Sequence, residues 1–169
     1  AEKLSVAAKH WAGGRYPLER YTEGWKKVLF NQFHDIMAGT SIEPAYEDAR
    51  ESYGAALDTA AKGLNAAVQS ISWHINIPVE DGMKPVVVFN PNSFPGKFEV
   101  EMESPNLKEN QILVDEEGKQ IPLQQVQPLA SSNGRTRLVF IADLPAMGYR
   151  TYRLVIRETA HAFPYVEST

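Results

Sequence analysis

A histidine followed at once by an aspartate, His34-Asp35, is the pair of side chains in this sequence that most plainly could do chemistry. The chain has 169 residues, only four histidines and no cysteine. A neutral imidazole is the commonest protein ligand for a metal ion. A neighbouring carboxylate can orient such a ligand or accept a hydrogen bond from a bound hydroxyl. Two groups do not complete a site, however. Zinc takes three or four ligands. Other chemistries lack their signatures: there is no glycine-rich phosphate loop, no Gly-x-Ser-x-Gly, no His-Glu-x-x-His and no paired Cys-x-x-Cys. His10, His74 and His161 stand alone and read as packing or surface residues. Glu99, Glu101 and Glu103 share one strand face and read as solvated. Arg135 and Arg137, beside a hairpin, read as edge-strand charges that discourage pairing.

The elements around the pair are helical. A short helix over residues 2–11 is broken by Gly13, Gly14 and Pro17. A second helix is expected from Leu18 to Met37, with Trp25, Val28, Leu29 and Ile36 on its core face and Gln32 within that stripe. Gly39 fits a left-handed helix end. Thr40-Ser41-Ile42-Glu43 matches a capping box, with Thr40 as the cap and Glu43 reaching back. Pro44 falls in the first turn of a long third helix, about 42–76. Its expected stripe runs Tyr46, Ala49, Tyr53, Leu57, Ala60, Leu64, Val68, Ile71, Ile75.

Beyond Pro78 the period changes from helix to strand. Val86-Val87-Val88-Phe89 is a β-rich run, and Phe98 to Glu103 alternates strictly. Residues 111–114 and 119–123 flank Asp115-Glu116-Glu117-Gly118 as a hairpin, and Asn133-Gly134 marks another. Residues 137–141 and 149–154 bring the total to about six strands. The fold class expected is therefore α+β in two units: a three-helix bundle over 1–79 followed by an antiparallel, β-sandwich-like unit over 80–169. A net charge of −4 gives no basic patch for nucleic acid. No run of about 18 apolar residues suggests a membrane span. The sequence begins at Ala1 rather than Met, as a processed chain or a piece of a longer one would.

On a continuous second helix, His34 lies about 180° from the Trp25 stripe. Phe30 and Met37 share that far side, with Lys27 and Asn31 at its edge. A helix apolar on two opposite faces is covered on both, and no surplus element of the sequence covers the second. His34 would also sit in the last helical turn, where a cation gains about 0.3–1 kcal/mol. Two readings of the pair stay open on spacing alone: a functional site, or a helix-end histidine satisfied by a neighbouring group.

The wording of the segment adds to this. Asn31-Gln32-Phe33-His34-Asp35-Ile36-Met37-Ala38-Gly39-Thr40-Ser41-Ile42 resembles the NQFHDILPGTSI segment of glycoside hydrolase family 38, the α-mannosidases. It departs at Met37 and Ala38, where the family often has Leu and Pro. Val86 to Pro95 resembles the start of that family's C-terminal β region, and Ala142 to Tyr152 its later LPALGY strand pair. The pattern is most similar to the bacterial, cytosolic branch, which implies a cytoplasmic protein.

The resemblance implies that the chain is a fragment: the helical middle domain and the start of the C-terminal β region, with the α/β catalytic domain upstream. It implies one zinc ion touching the sugar, with His34 as a metal ligand and Asp35 as a contact to sugar hydroxyls of a mannose-containing oligosaccharide. The nucleophile and the remaining zinc ligands would belong to the upstream domain, so no catalytic residue is expected in this fragment. Alone, it is expected to be inactive and to hold zinc only weakly and without selectivity. The alternative is a non-catalytic module that binds a carbohydrate or a partner protein.

Overall fold

The computed structural model of the chain describes residues 1–105, 110–126 and 135–157. The Asn133-Gly134 hairpin, His161 and the tail beyond Arg157 lie outside the described residues. The chain divides into two compact units, Ala1–Asn76 and Ile77–Thr169. Helices fill the first and antiparallel sheets the second, so the fold is α+β.

The helical unit contains α1 (Glu2–Trp11), α2 (Leu18–Phe30), α3 (His34–Ala38) and α4 (Glu43–Ser72). Its plan is one long helix with shorter helices laid along it, since α1 and α2 both pack on α4. The seam of α4 is Tyr46, Ala49, Tyr53, Ala56, Ala60, Gly63, Ala67 and Ile71, all buried or half-buried. These positions are spaced three or four apart, which keeps one narrow stripe facing its partners. Leu57 and Leu64, expected in the core, are exposed instead. The seam uses small residues because the neighbouring helices come close. An added Cβ at Gly24 on α2 would touch Thr59 and Ala56 of α4, at 3.9 and 4.0 Å.

The face that α2 buries is likewise displaced from the expected stripe. Tyr21 and Asn31 are buried and Gly24 and Val28 half-buried, while Trp25 and Leu29 are exposed. Tyr21 lies across Gly63, where an added Cβ would collide with its hydroxyl oxygen. That hydroxyl shares a 2.7 Å hydrogen bond with the buried Ser5 of α1. One phenol thus ties α1, α2 and α4 together. Glu2 adds to this from the surface, accepting from Tyr16 Oη at 2.9 Å and Trp25 Nε1 at 3.1 Å.

The second unit has two sheets. The first, in order β1-β7-β3-β4, comprises β1 (Lys84–Asn90), β7 (Gly148–Ile156), β3 (Gln111–Val114) and β4 (Gln120–Ile121). The second, in order β2-β6-β5, comprises β2 (Gly96–Pro105), β6 (Arg135–Leu144) and β5 (Gln124–Val126). The expected strand at 119–123 is instead two short strands separated by Pro122 and Leu123, which gives seven strands among the described residues. Leu113, Tyr152 and Leu154 of one sheet and Leu138, Phe140, Ala142 and Leu144 of the other share one core. Each fully buried leucine there contributes about 1.5–3 kcal/mol. Alternation along β2 turns Phe98, Val100 and Met102 toward that core and leaves Glu99, Glu101 and Glu103 exposed. At Arg137, β6 lies between β2 and β5, so that arginine is not an edge charge. Arg137 pairs with Glu101 on β2, diagonal to it in the register.

Buried polar groups hold the turns. The Asn90 amide donates to the carbonyls of Phe94 and Pro145, both at 2.9 Å, and its oxygen accepts from Asn92 N–H. The β3–β4 hairpin is closed by Asp115, whose carboxylate accepts the N–H groups of Glu117 and Lys119, with Gly118 at φ 82°. β3 stops at Val114, opposite Arg153. Just past that end, the Thr151 N–H of β7 donates to the Glu116 carboxylate at 3.0 Å, and Arg150 Nη1 donates to the same carboxylate at 2.8 Å.

Two outcomes follow from these contacts. Gly63→Ala gains about 1 kcal/mol of helix propensity but forces the buried Tyr21 to move, at about 1–3 kcal/mol. The helical unit should therefore melt earlier, read as an earlier loss of helical circular dichroism; an unchanged or later transition contradicts the Tyr21 wedge. The second concerns acid. Burial pushes the Glu116 carboxyl up, but Thr151 N–H and the Arg150 guanidinium outweigh it and hold the group below its ordinary value. Its stabilisation is thus full above the unfolded carboxyl pKa of about 4.3 and is lost as pH falls through the lower folded value. Glu116→Gln should melt earlier than wild type at neutral pH and lose that deficit in acid. Parallel pH profiles for the two proteins would argue against it.

Candidate functional site

His34 and Asp35 stand at the start of a separate short helix, not near the end of a long one. The reason lies in Asn31. Its backbone N–H and its side-chain amide both donate to the Lys27 carbonyl, at 3.3 and 2.8 Å, and Gln32 N–H bonds one residue short of the helical partner, to Leu29 O. A side chain that satisfies the backbone locally competes with continuation of the helix. Phe33 then takes an extended conformation, φ −57° and ψ 141°, and α3 begins at His34. Two expectations fall with the long helix. The angle of His34 relative to Trp25 is not the one a continuous helix sets. Nor is His34 in a last turn, so the attraction of a helix end for a cation does not apply to it.

α3 ends on Gly39, in the left-handed region at φ 78°. Thr40 N–H reaches Asp35 O at 3.0 Å and Gly39 N–H reaches Ile36 O at 3.3 Å. That pair of bonds is the Schellman closure, which satisfies carbonyls a helix end leaves open. The expected capping box does not form. Ile42 occupies the N-cap of α4 without a side-chain cap bond, and Pro44 takes an early first-turn position. Thr40 turns the other way, with Oγ1 3.2 Å from Asp35 Oδ1. Tyr46 fastens the turn to α4: its hydroxyl donates to Asp35 O at 3.2 Å and accepts from Ser41 N–H at 3.1 Å.

The two candidate side chains are held on their inner sides and open outward. The His34 side chain is 78% exposed and that of Asp35 47% exposed, with Nε2 and Oδ1 3.5 Å apart. The Phe33 ring packs against the imidazole, centroids 4.2 Å apart. Phe30, Phe33, Met37 and Ile42, which flank the pair in sequence, are all exposed, Phe30 at 80%. Among the described residues no group of three or more His, Cys, Asp or Glu side chains could hold a metal ion. His34 and Asp35 have the right donor chemistry for zinc but form an incomplete set. Thr40 and Tyr46 were legible only as a cap and as part of a stripe. A tyrosine on the inner face of a helix needs a partner for its hydroxyl, and that was the available signal. Elsewhere in this unit a groove of about 420 Å³ runs beside Gly24, Trp25, Val28, Tyr53 and Ala56; neither His34 nor Asp35 lines it.

Residues 1–71 match the family model described as the alpha mannosidase middle domain. This segment is similar to that family. The match covers α1 to α3 and all but the last residue of α4, and His34 and Asp35 fall within it. No curated protein matches the chain. Among solved structures, the crystal structure of an alpha-mannosidase from Enterococcus faecalis V583 is similar in fold, with a TM-score of 0.72 at 16% identity. The alignment covers 99% of this chain and 22% of that one, so the chain spans about a fifth of its length.

Gly39→Ala tests how far the middle-domain turn depends on its left-handed residue. An added Cβ meets nothing within 4 Å, so the cost is conformational alone, about 1–2 kcal/mol. The expected result is faster amide exchange at Gly39 and Thr40 than in wild type, with α4 unaffected; unchanged exchange at both would contradict the closure.

Proposed function

We propose that this chain is part of a zinc-dependent, retaining α-mannosidase, to which the middle domain contributes one metal ligand and one substrate contact. The observation that carries the reading is the middle-domain match across an outward-facing His34-Asp35 pair whose backbone is fixed by Gly39, Thr40 and Tyr46. In this reading His34 presents a ring nitrogen to a zinc ion whose other ligands come from a catalytic domain elsewhere in the same protein. Bound zinc would polarise and orient sugar hydroxyls. Phe33 restricts the imidazole before the metal arrives. Asp35 accepts a hydrogen bond from a hydroxyl of a mannose-containing oligosaccharide. The nucleophile of a retaining mechanism lies outside this chain. The exposed Phe30, Met37 and Ile42 are the apolar surface that the catalytic domain would cover. A cytoplasmic location belongs to the same proposal and rests on the resemblance alone. Among the described residues no helix is long and apolar enough to cross a membrane.

The incomplete donor set favours a second reading, a non-catalytic module that binds carbohydrate or another protein. The test is His34→Ala in the intact enzyme, with bound zinc measured by elemental analysis and hydrolysis of an aryl α-mannoside followed in parallel. Loss of both is expected, with activity down at least a hundredfold; normal activity and zinc content end the ligand assignment and leave the module reading. The isolated chain should hydrolyse no α-mannoside.

A further inference from the structure

Thr40 holds Asp35 at two points. Its N–H donates to the Asp35 carbonyl at 3.0 Å, and its hydroxyl lies 3.2 Å from Asp35 Oδ1, nearer than the 3.5 Å to that carbonyl. The side-chain bond is not needed to end the helix, because the backbone bonds of Gly39 and Thr40 already do that. It does not cap α4 either, whose N-cap is Ile42. Its consequence falls on the carboxylate. With Oδ1 tethered by Thr40 and 3.5 Å from His34 Nε2, rotation about the Cβ–Cγ bond is restricted. Oδ2 then accepts no hydrogen bond from a described side chain and is the oxygen left for a ligand.

We infer that Thr40 is a positioning residue: its hydroxyl fixes the Asp35 carboxylate so that Oδ2 faces the sugar hydroxyl it must receive. The inference rests on the proposed role of Asp35 in binding substrate. Tyr46 supports it from behind by gripping the same residue's carbonyl, so that Asp35 is fixed in both backbone and side chain. Groups that orient a ligating or binding side chain typically cost about 10–100-fold in affinity or activity when removed. Threonine can be changed in two separable ways. Valine keeps the branched shape and loses the hydroxyl, whereas serine keeps the hydroxyl and loses the methyl.

The experiment uses the intact enzyme, an aryl α-mannoside and four variants: Thr40→Val, Thr40→Ser, Asp35→Asn and the Thr40→Val/Asp35→Asn double. Thr40→Val should lose about tenfold in kcat/KM, with zinc content and melting temperature as in wild type, and Thr40→Ser should restore it. Because Thr40 acts through Asp35, the double variant should be no worse than Asp35→Asn alone. Wild-type kinetics in Thr40→Val overturn the inference. So do equal losses in the valine and serine variants, additive losses in the double, or a fall in zinc or melting temperature that tracks the activity. His34→Ala, run alongside, separates the two levels. If it is inactive while Thr40→Val is normal, only the role of Thr40 fails; if the enzyme cleaves no α-mannoside at all, both readings fail.

Discussion

A helix of five residues does not hold itself together in water. Its first turn fixes three residues for one hydrogen bond, and propagation has no length over which to repay that. α3 is such a helix, and it carries both candidate side chains. Its conformation is therefore imposed from outside, by the Asn31 amide that ends α2, the Schellman closure at Gly39, and the Tyr46 hydroxyl reaching across from α4. Each of these acts on backbone groups. The side chains of His34 and Asp35 are thereby spared structural duty and left facing outward, which is the arrangement a binding site needs.

The dependence runs back to α4. Tyr46 is the first residue of a seam in which alanine and glycine predominate, and that seam sets how near α1 and α2 can come. Large apolar residues of the same helices, among them Trp25, Leu57 and Leu64, face outward. The helical unit thus places its small residues inside and many of its greasy ones outside, the reverse of an isolated globular domain. In the proposed reading, that surface is what other parts of the protein would cover.

The order of helices before strands was legible in the sequence, because strong periodicity carries it, and residue identity alone was enough to single out His34 and Asp35 as candidates. The break between Phe30 and His34 was not. Trp25, Val28, Leu29 and Ile36 keep helical spacing straight through it, so periodicity has nothing to report. What ends α2 is one amide competing for the Lys27 carbonyl. The rotation of about 100° per residue holds only within a helix, and with residues 31–33 outside one it no longer relates His34 to Trp25, which is why the expected direction did not survive. The seam of α4 was misread at two positions for a related reason: hydrophobicity points to Leu57 and Leu64, whereas close approach selects Ala56 and Gly63. Thr40-Ser41-Ile42-Glu43 satisfied a capping pattern while Thr40 bonded backwards to Asp35. In the β unit, β4 and β5 have two and three residues, too few for alternation to register, whereas the long β2 declares its two faces plainly.

The hairpin carboxylate of Glu116 has a meaning beyond its own turn. Where β3 stops, β7 would otherwise present a bare ladder N–H at Thr151. Such a donor is where a foreign strand begins to add to a sheet. Glu116 occupies it with a side chain that carries no further backbone to template a neighbour, and its negative charge repels an approaching carbonyl. The guanidinium of Arg150 keeps that blocking group in place. A short strand thus ends in a plug, and the sheet gains resistance to chain-to-chain pairing at a point where its own hydrogen bonding has run out.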